Sequence, residues 1–542
     1  MLKIIFHIIL CLWIVPAVAL GAEHYILDGG SGDGSSWSSA WDDLPGTFVR
    51  GDTYYIGEGN YGSHTFGTAN SGSTYIYIKY CGTGDGTCEN AAGYSSTDHD
   101  GPATFSGTWS IDSSYWDIDG KVGGGPGSWE SGHGIVIVMP NSSTTRGIIF
   151  NSSGVSNNYI RHVEIDGSLG DGQQGHDGIY SLGGASDNNT IQYCYIHDTG
   201  RTIALVNSGD NWVFEYSALM RPGSNGGQHS EIFSCSEGGG SDLPNNFVLR
   251  YNLITDPIST GGIITSGTGW DVYGNIFTNS ASNGETCNNG IFGGWSAQPG
   301  GSHKVYNNLF IDFDNNQGRL FAIAGGSGSI AKNNIFWNIN NFVNNAGTKS
   351  HNAFGGGISL PGESNQQDLG STASAVFTAY GAEYWTSSDD LSLVTATDTG
   401  DTLAAEYQTD MLGATRGNDG TWDRGAYEYS TGGDVTAPVV TISNNDPEGI
   451  GFDTLAISGT ATDAVGVTEC KFRIGSAPDE SNGTTITGTT TWSGTATGFS
   501  EGDNTLYVGC DDAANNWGVD SITVNLTVNL VDSNAIEGMI IN

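Results

Sequence analysis

Short runs of β-branched and aromatic residues, each bounded by Gly, Asn, Asp or Ser, recur through the middle of the chain. Seven nine-residue stretches share one pattern: 158–166, 189–197, 211–219, 246–254, 269–277, 302–310 and 328–336. Their spacing, about 22 to 35 residues, is that of solenoid repeats. Each stretch reads as a β-strand. Ile165, Ile196, Ala218, Leu253, Ile276, Leu309 and Ile335 occupy equivalent places, and Asn252, Asn275, Asn308 and Asn334 precede the last four. Stacked coils would pile the apolar residues into one core and let the Asn amides hydrogen-bond from coil to coil. A second strand per coil is predicted at 178–180, 202–204, 231–233, 262–264, 290–292 and 320–322. The pattern predicts an all-β protein built around a parallel β-helix.

Composition agrees with this reading. The 542 residues include 84 Gly, too many for a mainly helical protein, because Gly inside a helix costs about 1 kcal/mol relative to Ala. Aromatic residues at 11% can still build a core. The formal charge is −41, with only 17 Lys and Arg. Phosphate backbones are gripped by cations, so a nucleic-acid partner is excluded. Neutral or cationic partners, or bound cations, suit such a surface.

Residues 1–22 read as a secretory signal peptide, with Lys3 ahead of an apolar run and small residues at 17–19 and 22. No later stretch is apolar enough to span a membrane, so the mature protein is expected to be secreted, extracellular or at the cell surface. Export exposes cysteines to oxidation. Cys81 and Cys88 flank a short loop, Cys470 and Cys510 each fall in a predicted strand and read as a disulfide, and Cys194, Cys235 and Cys287 remain. From Thr436 onward, short alternating strands with frequent turns predict a small β-sandwich.

Two strands per irregular coil, with turns of changing length, resemble the right-handed parallel β-helix of the pectate-lyase-like superfamily over roughly residues 100–360. The start of the chain, with Trp37 and Arg50-Gly-Asp52, resembles the N-terminal segment of bacterial secreted β-helix proteins. Asp410 to Arg416 and Asp423 to Glu428 resemble the segment that closes such helices. The C-terminal unit, with Trp492 and the stretch 504–515, resembles a bacterial immunoglobulin-like domain. The expected organisation is a signal peptide (1–22), an N-terminal capping segment (23–100), the β-helix with its closing segment (101–429), a linker (430–435), the sandwich (436–530) and a tail (531–542).

Rungs of a β-helix lie about 4.8 Å apart, so residues distant in sequence share columns. Aligning the second strands places His176 with His229, and Asp177 with Arg201, with Glu231 in the next column. His176, Asp177, Arg201, His229 and Glu231 are therefore the expected catalytic group. A His beside a carboxylate can act as a tuned base, and Arg can hold an anionic group. Asp177 and Glu231 could instead hold Ca²⁺, a cation that prefers oxygen ligands; no other cofactor is indicated. The structural alternative is that these groups only satisfy turn amides and tie coils together. A second cluster, Asp166, His197, Asp198, Arg221 and Asp256, lies on neighbouring corners, with Arg221 expected to face Asp256. Structural pairing is its bland explanation. Tyr159, Trp212, Phe247 and Trp270 form one aromatic column with Trp295 nearby; exposed, it would stack against sugars, and buried, it would be core. Arg221, Asp256, Trp212, Trp270 and Trp295 are thus the expected substrate-binding residues.

Export, a sandwich appendage and the β-helix resemblance imply an enzyme that cleaves extracellular polysaccharide, by elimination or by hydrolysis. The alternative is a non-catalytic adhesive protein that binds glycan. No Lys lies between Lys121 and Lys304. That departs from lyases that use Lys as the base.

Overall fold

The computed structural model describes residues 21–82, 88–140, 145–151, 154–168, 176–181, 184, 186–223, 231–235, 244–256, 262–265, 267–278, 292–293, 301–313, 321–322, 328–340, 342–344, 346–381, 385–397, 399–418, 420–429, 437–462, 467–479, 482–512 and 516–527. Residues 1–20 of the expected leader, His229, Cys287, Trp295 and the expected linker and tail lie outside them. The chain divides into two compact units after Tyr429.

Among the described residues, the first unit is a parallel β-helix with three long parallel sheets. The first runs from Glu23–Ile26 to Thr348–Ser350, the second from His64–Phe66 to Phe292–Gly293, and the third from Gly59–Tyr61 to Gln367–Gly370. Each coil therefore contributes three strands, not two. The repeated nine-residue stretch is a pair of strands bent at a corner residue with positive φ. His162 (φ 52°), Tyr193 (54°), Tyr216 (50°), Tyr251 (57°), Gly274 (65°), Asn307 (51°) and Asn333 (57°) hold that corner in successive coils. Left-handed backbone ends one strand and starts the next on a new face.

The interior is a continuous stack. Phe277, Phe310, Phe336 and Phe354 pile ring on ring, with centroids 4.9, 5.1 and 5.4 Å apart. Beside them runs the Asn ladder. Asn252, Asn275 and Asn308 each donate Nδ2–H to the Oδ1 of the next Asn, at 2.9, 3.0 and 3.0 Å, and Asn334 does the same to Asn352 at 3.0 Å. Each Oδ1 also accepts a backbone N–H from the preceding coil. Buried amides with all their bonds made hold the coils in one register.

Register departs from the sequence expectation at one step of the third sheet and at several of the second, where Phe233 pairs with Ile263 and Ile263 with Phe292. Ile196 pairs with Leu219, not Ala218, and Ile179 pairs with Ala204, not Ile203. For Ile196 the cause lies on the outer face of the third sheet. Ala218, Met220, Leu253, Ile276, Leu309, Ile311, Ile335 and Trp337 are apolar and buried there, although they point away from the helix interior. The segment 373–428 folds over them, bringing Val376, Phe377, Trp385, Tyr407, Met411 and Trp422 into a second core. Polar clasps fix this cover. Tyr251 donates to the Thr409 carbonyl (3.0 Å), Lys304 to the Tyr407 hydroxyl (2.8 Å) and Asn307 to the Asp423 carbonyl (3.1 Å). The stretch expected to close the helix thus runs along its flank.

The second unit has a three-stranded sheet (Val439–Ile442, Thr454–Thr462, Thr491–Thr497) and a five-stranded one containing Val467–Ile474, Gly502–Asp512 and Trp517–Leu526. Trp492 is buried between apolar side chains of both. Cys470 and Cys510 form a disulfide between paired strands, and Cys81 and Cys88 form another in the first unit. Cys194 and Cys235 are buried thiols. No helix among the described residues is long and apolar enough to cross a membrane.

Candidate functional site

Three of the five residues of the expected catalytic group lie inside the structure, Arg201 is half-buried, and His229 falls outside the described residues. His176, Asp177 and Glu231 are wholly buried. Continuing the strand register puts Arg146, Asp177, Thr202 and Glu231 in one column, with Arg201 beside His176. The Thr202 hydroxyl donates to Asp177 Oδ1 at 2.5 Å, and Arg146 Nε lies 3.5 Å from Oδ2. A Ca²⁺ ion at that carboxylate would have to displace Arg146. His176 uses both ring nitrogens on backbone: Nδ1 accepts from Gly200 N–H at 3.1 Å, and Nε2–H donates to the Pro140 carbonyl at 3.3 Å. Burial lowers the His176 pKa and raises that of Asp177. A neutral His with both nitrogens engaged is a clasp between coils and not a base, which corrects the sequence expectation. Among the described residues no group of three or more His, Cys, Asp or Glu is placed to hold a metal ion.

The aromatic column is also interior. Trp212 and Trp270 are wholly buried and stack through Phe247, at 6.1 and 4.6 Å. Their indole N–H groups donate to the Ser186 and Pro244 carbonyls. Neither offers a ring face to a sugar, which corrects their expected binding role, and Tyr159 stands in a different column. Trp270→Ala is therefore expected to cost about 3–5 kcal/mol of stability, the usual price of emptying a large core site. Urea unfolding checks this. Weakened glycan binding at unchanged stability would restore a binding role.

The second cluster is the open one. It occupies the outer face of the third sheet, where the cover's apolar stripe begins. Val163 and Ile165 point inward, so Glu164 and Asp166 point out, and Tyr195 and His197 sit beside them on the next coil. His197 bridges two carboxylates, with Nδ1 2.6 Å from Asp198 Oδ2 and Nε2 3.3 Å from Glu164 Oε1. Its ring stacks on Tyr195 at 3.8 Å. Arg221 does not face Asp256. It grips both oxygens of Asp198, at 2.8 and 2.9 Å, and donates to the Tyr195 hydroxyl at 2.7 Å. Asp256 is buried and accepts the Thr255 hydroxyl at 3.1 Å. The Tyr195 hydroxyl donates in turn to Glu130 Oε2 at 3.2 Å.

Glu130 arrives on the long loop after strand Trp116–Asp119. Gly124 (φ 82°) lets that loop lie against the Tyr193 backbone, where a Cβ would come within 2.1 Å of the carbonyl oxygen. His133 then donates Nε2–H to the same carbonyl at 3.2 Å. Burial pushes the His133 pKa down to about 4, so it stays neutral.

Burial works against the His197 imidazolium, but hydrogen bonds and charge from Asp198 and Glu164 outweigh it and raise the His197 pKa. Burial would raise the Asp198 pKa; His197 and Arg221 instead hold it well below the ordinary carboxylate range. Burial of Tyr195 prevails over the Arg221 charge, so its phenol stays protonated. Access remains: Glu130 and Arg221 side chains are each 33% exposed.

Because its pKa is raised by folding, His197 contributes stability fully below the unfolded value of about 6.5, and loses it as pH rises through the native value. Melting curves of wild type and His197→Gln should therefore converge as pH climbs above neutrality. Parallel curves would show that the two carboxylates do not hold the imidazolium.

No family model matches the chain, and neither does any curated protein. Among solved structures it is similar to a PL6 family alginate lyase, AlyGC. Identity is 12% and the TM-score 0.28, over 59% of this chain and 51% of that one. The chain aligns with about half the length of that enzyme, too loosely to bear on the chemistry.

One backbone feature marks the cluster further. The corner after the third sheet is left-handed in coil after coil, held by Asp198 (φ 49°), Arg221 (47°), Asp256 (55°), Asp312 (63°), Asn338 (51°) and Gly356 (64°). Asp, Asn and Gly tolerate that conformation; a long side chain there costs roughly 1–2 kcal/mol. Arg221 is the exception among these residues, and such outliers gather at functional sites.

Proposed function

We propose that the chain is a β-helix enzyme of the pectate-lyase-like type that hydrolyses an extracellular polysaccharide, its second unit an immunoglobulin-like appendage. The observation that carries this is the cluster itself: two proton-bearing chains, Arg221–Tyr195–Glu130 and Asp198–His197–Glu164, on adjoining coils of one partly open face. Glu130 accepts from a phenol and lies 3.9 Å from Arg221, which suits a carboxylate acting as base or nucleophile. His197, its pKa raised between Asp198 and Glu164, suits the acid, with Glu164 Oε1 3.3 Å from Nε2. In hydrolysis the acid protonates the leaving glycosidic oxygen, and Glu130 takes the proton of the attacking water or attacks the sugar carbon itself. Elimination fits less well, because Tyr195 stays a phenol and Arg221 a guanidinium.

Glu130→Gln and Glu164→Gln are each expected to lower kcat by at least about 100-fold with the fold intact. Wild type should release reducing ends without forming an ultraviolet-absorbing unsaturated sugar. An absorbing product would make the enzyme a lyase. Binding with neither signal, across neutral, cationic and acidic glycans, would make it an adhesive protein.

A further inference from the structure

A cavity of about 600 Å³ opens beside the cluster, between the loop 126–131 and the cover. Ile276 and Leu391 form apolar parts of its wall. Its volume is that of a site for a small ligand or a few sugar units. Trp129 supplies accessible aromatic surface, the more deeply packed Trp385 and Tyr427 complete the wall, and Glu130, Asp389 and Asp390 supply carboxylates. Among the described residues no Lys or Arg lines it. Glu130 belongs to both the cavity and the cluster, so a ligand seated here reaches the proposed base.

This combination selects by charge. Aromatic faces accept the C–H faces of sugars, and carboxylates accept hydrogen bonds from hydroxyl and ammonium groups. A uronate would instead meet three carboxylates on a chain already at −41. Arg221, the cluster's guanidinium, is already spent on Asp198 and Tyr195. Asp389 is likewise engaged, accepting the backbone N–H groups of Gly381 and Thr386 at 2.6 Å each; Asp390 accepts the Ser392 backbone N–H at 3.0 Å through one oxygen and stands exposed on the rim.

We propose that this cavity is the substrate subsite and that it takes a non-anionic glycan, amine-bearing sugars best, to the exclusion of polyuronates. The proposal rests on the cluster being the place of cleavage. The test uses the full chain with chitosan oligosaccharides, neutral glucan oligosaccharides, polygalacturonate and alginate, scoring binding and cleavage separately. Chitosan or neutral oligosaccharides should bind and be cleaved, and the polyuronates should do neither. Trp129→Ala, on a half-exposed loop residue, should weaken binding about tenfold. Asp390→Asn should weaken chitosan binding severalfold, leave neutral oligosaccharides unchanged, and flatten the salt dependence of chitosan binding.

Cleavage of a polyuronate would overturn the subsite proposal and leave the cleavage reading standing. Cleavage of no glycan would overturn the cleavage reading. The subsite would then be decided by binding alone: upheld if chitosan or glucan binds and Trp129→Ala weakens it, overturned if only polyuronates bind or nothing does.

Discussion

Replacing Arg221 by asparagine should cost at least about 100-fold in turnover while leaving the melting temperature unchanged or slightly higher. The two effects separate because they have different origins. Turnover depends on the guanidinium that orients the Tyr195 hydroxyl and Asp198 from 2.7 to 2.9 Å away. Stability depends on the backbone at φ 47°, where Asn is at ease and Arg is not. The ion pair lost with Arg221 is about one-third exposed on both sides, and such pairs contribute about 0–1 kcal/mol. Relief of the corner is worth roughly 1–2 kcal/mol, at least as much as the pair. Turnover assays beside thermal melts decide the matter. A large drop in melting temperature with proportionate loss of activity would show Arg221 to be a strut between coils.

Asn308→Ala should be among the most destabilising single changes in the β-helix, on the order of 4 kcal/mol. The side chain makes four hydrogen bonds. Its Nδ2 donates to Asn334 Oδ1 and the Val272 carbonyl, and its Oδ1 accepts from the backbone and side-chain nitrogens of Asn275. Alanine removes all four bonds from buried groups and leaves the Asn275 backbone N–H without its acceptor; a buried group so orphaned costs about 1–3 kcal/mol before relaxation. Urea unfolding of the variant measures the loss. A change below about 1 kcal/mol would mean that the ladder adjusts by sliding one coil against the next.

Much of the β-helix was legible because its repeat is written in residue types with one physical use. The Asn ladder and the aliphatic column could be read directly from 246–336. Register was legible only where the outer face is polar. At Ala218 and Leu219, and again at Leu253 and Ile254, both strand faces are apolar, so the alternation that would settle inside from outside is lost. A segment more than a hundred residues later buries the outer face, and no local pattern announces it. The same gap hid the site. His197, Asp198 and Arg221 were recognisable as a cluster, and Glu164 and Tyr195 stood within the quoted repeats. Reading Val163 and Ile165 as inward would have turned both outward. Glu130 carried no signal, lying in an aperiodic loop brought across by the Gly124 contact. His176 and Asp177 misled because a dense polar group in a charge-poor chain looks the same whether it faces water or seals a corner.

The flank cover has a consequence for how the molecule must assemble. Coils can zip up one upon another as the chain emerges, each resting on the last. From the coil of Ala218 onward, however, every new coil adds to a greasy seam that its own neighbours cannot close. The residues that close it, 373–428, come after the coils they cover. The nascent solenoid therefore passes through a stage with an ordered interior and a sticky side, the kind of species that aggregates or recruits chaperones. A chain cut shortly before Val376 would keep most of its coils and remain at that stage.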